Sequence, residues 1–452
     1  MKKIFNCIKS AFKSIKNLFK KKKKEKEEEL ILPIVELDTD NAPVDPENVK
    51  LGEIGGYVIY NRTIAKINAT FIKNLQDLGI NILYFNTPRD KKNPDTFLSY
   101  DEMYSIFEKF RDSGIKLMIY IYETLAKKDS DGNIIYNKWT DKQIKSISNH
   151  PAFYGWIAED EVSYAKFKTS LAWINTFHNQ KLNGERKWPN MSITFLPKLK
   201  SLKADAIGET YDDYLELWSK SADIVFADQY PIISSKVDGA QYNVDADGTD
   251  AYSSTSGKEN WYNYLAAHLN FTNNHPELVH RLYMHTCKEV SKDDKGKSYI
   301  QYPKPTELAT RIQAYANLMA GSNGLMLFVL GDIGEKFTEA AFNKELLPND
   351  DTFNVLSNVF NNKIFKNFKE LIVNLKIDRF MEYDENLLTA IAHNDKYFYH
   401  IFLNISLDSI DIVNVPEGCK VLDLENSTVY TYPYNISIHI EPGNIACIKI
   451  EK

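Results

Sequence analysis

One pattern constrains the fold of this chain more than any other. From residue 51 onward, a short apolar run of strand length alternates with a longer run of helical character. The strand-like runs lie at residues 57–61, 80–85, 116–122, 153–162, 191–196, 222–227, 281–286 and 324–330. Eight strand–helix units within about 300 residues are typical of a closed (β/α)8 TIM barrel, in which helices ring parallel strands. An open doubly wound sheet is the alternative, but no glycine-rich phosphate-binding loop follows the first strand.

Local signals mark the starts of two of the predicted helices. Ser99 with Glu102, and Thr140 with Gln143, have the spacing of a capping box, in which both side chains bind backbone N–H groups at a helix start. We therefore expect helices to begin directly after Ser99 and after Thr140.

The pattern changes near residue 380. Seven short strand-like runs follow, without helical periodicity and separated by turn residues: 387–392, 397–403, 410–415, 420–424, 429–432, 436–440 and 445–450. This succession is typical of a small antiparallel β-sandwich. The sequence thus predicts an α/β chain with a TIM barrel at residues 51–380 and an all-β sandwich at residues 381–452.

The N-terminal segment has a pattern of its own. At helical spacing, the apolar residues of the first 20 positions fall on one side and the lysines on the other. These lysines interrupt the apolar run of about 7 residues that a secretory signal needs, so a conventional signal peptide is not expected. We predict a basic amphipathic helix and charged stalk over residues 1–29, followed by a linker over residues 30–50.

Two partners fit such a helix, and a solvated tail is the alternative to both. Residues 1–20 could lie on an anionic membrane surface or dock in a groove of a partner protein. The localisation is left open between the periphery of a membrane and a larger assembly.

Composition narrows the other partners. The net charge of -6 and the pI of about 5.9 argue against a nucleic-acid-binding protein, which normally has a strongly basic face. The four cysteines are too scattered for a metal-ligand spacing or a disulfide framework. We expect neither a metal nor another cofactor.

In a TIM barrel the functional side chains lie where the strands end, at the C-terminal face. Carboxylates end several of the predicted strands here, and three consecutive acids, Glu159, Asp160 and Glu161, end the fourth. Repulsion among adjacent carboxylates raises the pKa of one of them, although a helix start also favours acids. The predicted substrate-binding residues are Asn61, Asn86, Glu123, Trp156, Glu159, Asp228, Tyr230, His285 and Asp332.

Several short motifs carry a resemblance to a known group of proteins. They are His150-Pro-Ala-Phe-Tyr-Gly-Trp with Asp160-Glu161, Ala222-Asp-Ile-Val-Phe-Ala-Asp-Gln-Tyr-Pro, and Pro305-Thr-Glu leading to Ala320-Gly-Ser-Asn-Gly-Leu-Met-Leu-Phe. With them, residues 52–452 resemble the barrel of glycoside-hydrolase-like proteins related to clan A, which often carry a C-terminal β-sandwich. The motif at the fourth strand is the most distinctive of the three.

The resemblance implies a glycan or polysaccharide substrate and a pair of catalytic carboxylates. Clan A enzymes place an acid/base Glu after an Asn or Asp at the end of strand four, and by position Asp160-Glu161 matches that pair. Their nucleophilic Glu ends strand seven, where this chain has His285 and Thr286. Glu289 lies a few residues beyond and is the predicted partner of Glu161.

Alternatives to this catalytic pair stay open. Asp228, Asp332 or Glu123 could serve as the second carboxylate instead of Glu289, or the pair could be absent. In that last case the chain would be a non-catalytic glycan-binding or structural protein that retains the barrel.

Overall fold

The structure is a computed structural model that describes residues 34–37, 52–59, 66–86, 98–121, 139–160, 167–195, 216, 219–228, 261–292, 296, 298–302, 304–331, 337–384, 386–415, 417–432 and 435–452. The predicted N-terminal helix and stalk at residues 1–29 fall outside the described residues. The predicted site residues that also fall outside are Asn61, Glu123, Glu161, Tyr230 and Asp332, together with the side chain of Asn86. No helix of the described part is both long and apolar enough to cross a membrane.

Eight parallel strands close into a barrel. In chain order, barrel strands 1 to 8 are Glu53–Ile59, Ile82–Asn86, Lys116–Tyr120, Phe153–Glu159, Met191–Phe195, Ile224–Ala227, Val279–His285 and Gly324–Phe328. Each strand pairs with the next, and Gly324 of strand 8 pairs with Glu53 of strand 1 to complete the cylinder. The predicted TIM barrel is confirmed, and each strand overlaps its predicted run.

Helices connect and surround these strands. The described helices are Ala69–Asp77, Tyr100–Phe110, Asp141–Ser148, Phe167–His178, Trp261–Asn274, Glu307–Met319, Asp350–Phe360 and Lys363–Ile372. Ser99 and Thr140 each form the predicted capping box. After strand 8 the chain forms two successive helices, because the side chain of Asn362 caps the second one.

Side chains along the barrel strands alternate between two cores. Outward-facing side chains pack against the helices in one large cluster, whereas inward-facing side chains fill the barrel lumen in a second cluster rich in tyrosine and methionine. On strand 4, Ile157 belongs to the lumen and its neighbour Trp156 to the outer core.

This alternation corrects one site prediction. Trp156 is completely buried, its ring meets the ring of Trp188 at a centroid distance of 5.0 Å, and its Nε1–H donates to Ser148 Oγ at 3.1 Å. Its side chain therefore points away from the lumen, and Trp156 is a core residue rather than a substrate contact.

An ion pair ties three strands together at the N-terminal end of the barrel. Arg281 of strand 7, only 2% exposed, pairs with the Glu53 carboxylate of strand 1. Tyr154 of strand 4 donates its hydroxyl to the same carboxylate at 2.9 Å, and the Arg281 Cζ atom lies 5.1 Å from the Tyr154 ring centroid. A charged side chain is rarely buried without a partner. The pairing explains how Arg281 is accommodated at this end.

A small sheet that the sequence did not predict lies beyond strands 7 and 8. The strands Lys288–Lys292 and Ser298–Tyr302 form a hairpin directly after strand 7, and Phe337–Thr338 pairs with the first of them. The Phe337 ring meets the Phe328 ring of strand 8 at a centroid distance of 5.1 Å. The sheet is thereby packed onto the C-terminal end of the barrel.

The C-terminal region folds as a β-sandwich, as predicted. A seven-stranded sheet has the order Ile34–Leu37, Thr428–Thr431, Lys420–Asp423, Ile445–Glu451, Tyr397–Asn404, Leu387–His393 and Lys376–Asp384. Ile410–Val415 and Ile436–Ile440 form a second, two-stranded sheet, and a separate apolar cluster joins the two. The other face of the large sheet contributes to the core that surrounds the barrel.

Two boundaries of this region differ from the predicted ones. Its first strand begins at Lys376, before the predicted boundary at residue 381. Its outermost strand, Ile34–Leu37, comes from the predicted linker and pairs antiparallel with Thr428–Thr431. The run Ile34-Val-Glu-Leu37 has strong strand propensity, but only the edge of a sheet distant in sequence gives it a partner.

Candidate active site

Asp160 follows the last residue of barrel strand 4 and is held over the lumen by phenol groups. Its Oδ2 atom accepts a hydrogen bond from Tyr120 Oη of strand 3 at 3.0 Å and another from Tyr57 Oη of strand 1 at 3.2 Å. Hydrogen bonds to an ionised group are stronger than those between neutral groups. Three strands of the barrel thus fix the position of this carboxylate.

The phenols belong to a larger aromatic cluster that fills the upper lumen. Tyr84 of strand 2 donates to Tyr120 Oη at 3.4 Å, and its ring is stacked on the Tyr57 ring with centroids 4.7 Å apart. Phe226 of strand 6 meets Tyr84 edge to face at 5.6 Å and lies 5.7 Å from the Tyr283 ring of strand 7. Aromatic side chains from five strands therefore form a floor beneath Asp160.

Burial and charge keep these phenols protonated. The pKa of Tyr84 and that of Tyr120 lie well above the usual value, first because burial disfavours the phenolate and then because the Asp160 charge repels it. The pKa of Tyr283 is raised by burial in the same way. At neutral pH the cluster supplies neutral hydrogen-bond donors to a carboxylate.

Strand 6 brings a second carboxylate to the same end. Asp228 directly follows Ala227, the last residue of the strand, and is 8% exposed. Its Oδ1 atom is buried and has no hydrogen-bond partner among the residues that the structure describes. Phe226, two positions earlier, faces the lumen, so the alternation of a strand directs Asp228 to the lumen side as well.

Strand 7 ends in a buried histidine. Gln313 binds the main chain of His285 on both sides, accepting from its N–H at 3.0 Å and donating to its carbonyl oxygen at 3.3 Å. Burial lowers the pKa of His285 to about 3, so its imidazole is neutral at physiological pH. Thr286 then donates to the Val329 carbonyl at 3.2 Å. The residues at the end of this strand are therefore His285 and Thr286, and neither is a carboxylate.

Glu289 lies in the first strand of the hairpin beyond strand 7. It is 5% exposed and pairs in register with Phe337 on one side and Tyr302 on the other. Phe337 packs on Phe328, whose ring centroid is 5.3 Å from that of Tyr57. The strand of Glu289 is therefore folded back onto the mouth of the barrel.

The structure brings the described candidates together at one end. Asp160, Asp228, His285 and Glu289 all lie at or beyond the C-terminal ends of strands 4, 6 and 7, and Glu159, partly exposed, is the last residue of strand 4. Sequence reasoning missed Tyr57, Tyr84, Tyr120 and Tyr283. Each of these tyrosines lies within a strand-like run of the sequence, but which of the two alternating faces of the strand points inward depends on barrel register.

The arrangement suits hydroxyl-rich ligands. It combines fixed and unpartnered carboxylate oxygens, which accept hydrogen bonds, with aromatic rings and neutral donors. Two carboxyl groups on either side of a bound sugar are also what hydrolysis of a glycosidic bond requires.

Comparisons with known proteins find similarity in fold and none in sequence family. No family model matches the chain, and no curated protein matches it in sequence. Among solved structures, a family 5 glycoside hydrolase from Bacteroides vulgatus is similar with a TM-score of 0.50 and 13% identity, covering 92% of this chain and 95% of that one. An α-galactosidase I from Mortierella vinacea gives a TM-score of 0.49 at 12% identity, covering 89% and 97% of the two chains. At 13% identity the likeness to the family 5 enzyme shows the fold alone, which is a TIM barrel followed by a C-terminal β-domain.

Proposed function

We propose that this protein is a glycoside hydrolase that cleaves a glycan or polysaccharide at the C-terminal face of its barrel. The observation that carries the proposal is the fixed carboxylate of Asp160, held by Tyr57 and Tyr120 at the end of strand 4. An active site needs groups whose positions are set before the substrate arrives, and a carboxylate held from three strands meets that need.

Glu161 is the proposed general acid/base. It directly follows Asp160 in the chain, and by position it matches the acid/base Glu that the resemblance to clan A implies. Its side chain would protonate the leaving oxygen of the glycosidic bond. The second carboxylate would come from Asp228 or Glu289, which are the described acids on strand 6 and beyond strand 7.

A glycan-binding protein without hydrolytic activity is the second candidate. One observation favours it: strand 7 ends in a buried histidine and a threonine, and Glu289 lies in a paired strand with only 5% exposure. The backbone of Glu289 is fixed in this sheet, which limits how far its carboxylate can move toward a bound sugar. In this second function the aromatic floor and the carboxylates would bind sugar without transferring a proton.

The two functions are separated by measuring cleavage and binding side by side. Wild-type protein and the variants Glu161→Gln and Asp160→Asn are screened against a glycan panel for released reducing ends. We expect Glu161→Gln to lower kcat/KM by about 100-fold or more, the usual range for the loss of a general acid/base, and Asp160→Asn to lower it as well. Glu185→Gln serves as the control, because Glu185 is an exposed acid that pairs with Lys145 on the surface. Binding of a glycan by wild-type protein without release of reducing ends would reject the hydrolase and support the binding protein.

A further inference from the structure

Asp228 differs from the other acids at the barrel mouth. Asp160 accepts two phenol hydrogen bonds, whereas the buried Oδ1 atom of Asp228 accepts none from the described part of the chain. Burying a carboxylate oxygen without a hydrogen-bond donor is energetically unfavourable, because its hydrogen bonds to water are lost and the protein does not replace them. Buried groups left in this state in a cleft are candidates for ligand contacts, since the ligand can supply the missing donor.

The neighbours of Asp228 place it against the lumen. Phe226, two residues earlier on the same face of strand 6, contacts both Tyr84 and Tyr283. Tyr84 donates to Tyr120, which in turn donates to Asp160. Asp228 directly follows strand 6 and is two residues after Phe226, so strand alternation places it on the side of the barrel that carries this aromatic floor.

The described charges at this mouth are mostly negative. Glu159, Asp160, Asp228 and Glu289 all come from strand ends or from the adjoining hairpin. Two lysines near the same end form ion pairs with another acid: Lys288 lies 3.0 Å and Lys304 3.6 Å from the Glu339 carboxylate. Arg281 is paired with Glu53 at the opposite end. These carboxylates would repel a negatively charged ligand, and the repulsion is stronger in a partly buried site than in water because the effective dielectric constant is lower.

We propose that Asp228 is a specificity-determining substrate contact that selects neutral or amino sugars over acidic ones. Its Oδ1 atom accepts a hydrogen bond from a hydroxyl or ammonium group of the sugar, while the carboxylates around it exclude uronic acids and sulfated sugars. This inference rests on the proposed function, because it names the substrate class for the same site.

Binding to a glycan array tests the proposal. The array holds neutral, amino, uronic-acid and sulfated oligosaccharides, and the full-length chain carries Glu161→Gln so that bound glycans are not cleaved. We expect neutral or amino glycans to bind and acidic ones to bind at least about tenfold more weakly. Adding Asp228→Asn should lower the affinity for the preferred glycans by about tenfold or more, the usual loss for a hydrogen bond to a charged group. The difference in affinity between these glycans and the acidic ones should become smaller. Glu185→Gln is the matched control and should change neither quantity.

Thermal unfolding gives a readout that does not depend on any glycan. If Asp228 lacks a donor in the free protein, Asp228→Asn removes an unpaired buried charge and should raise Tm by a few degrees. A lower Tm would mean that Asp228 has a structural partner, and would overturn the inference. Preference for acidic glycans, or binding unchanged by Asp228→Asn, would overturn it as well. Absence of binding and cleavage for every glycan class would instead reject the proposed function on which it rests.

Discussion

Among single residues, Tyr120 offers the most direct test of the site, because it donates a hydrogen bond to Asp160. In Tyr120→Phe the Asp160 carboxylate keeps the Tyr57 donor and loses the shorter of its two hydrogen bonds, so its position is less well fixed. We expect kcat on a cleaved glycan to fall by about tenfold with little change in KM, because one hydrogen bond to a charged group is lost from a positioning interaction. Tyr84→Phe is the matched control, since it removes a phenol of the same cluster whose hydroxyl donates to Tyr120 Oη at 3.4 Å. Equal losses in the two variants would assign the effect to packing of the cluster.

Residues at strand ends were predictable from sequence, and residues within the lumen were not. Asp160, Asp228 and His285 stand where apolar runs stop, and that position alone indicates the C-terminal face of a barrel. The tyrosines lie inside the runs, where one of two alternating faces points inward. The pairing register of strands 3 and 4 shifts between Leu117 and Met118. Because of such irregularities, counting alternate residues along one strand does not tell which side chains point into the lumen. Trp156 was assigned wrongly for the same reason.

At the scale of elements, the barrel strands were predictable because apolar runs bounded by polar residues define them one by one. The hairpin at residues 288–302 was not, since its strands pair with each other and with Phe337–Thr338 rather than continuing the strand–helix repeat. The strand at Ile34–Leu37 has its partner almost 400 residues later in the chain, which no local pattern encodes.

The ion pair at the N-terminal end of the barrel gives a prediction about how three strands are held together. Glu53→Gln would leave the Arg281 guanidinium of strand 7 buried without a counter-charge, while Tyr154 of strand 4 keeps an oxygen to donate to. We expect the free energy of unfolding to fall by about 3 kcal/mol, the lower end for breaking a buried ion pair, because Glu53 is partly exposed. Chemical denaturation measures the change. A loss no greater than that of the exposed control Glu185→Gln would show that the pair contributes little to holding these strands.

At the scale of the whole molecule, the strand Ile34–Leu37 links the N-terminal segment to the C-terminal sheet. It pairs with Thr428–Thr431 at the edge of that sheet. The predicted basic helix at residues 1–20 precedes this strand in the sequence, so its predicted membrane binding can be tested separately from the contribution of the strand to stability.

Two truncations separate the helix from the strand. A chain lacking residues 1–29 keeps the strand at Ile34–Leu37, whereas a chain lacking residues 1–51 loses it and exposes the backbone edge of Thr428–Thr431. With liposomes that contain anionic lipid, we expect the full-length chain to float and both truncated chains to stay in solution, because the lysines and the apolar face of the helix are gone from both. We expect only the longer truncation to lower Tm. Equal flotation of the full-length chain and the shorter truncation would reject membrane binding through the helix, and an unchanged Tm in the longer truncation would show that the edge strand adds nothing to the stability of the β-domain.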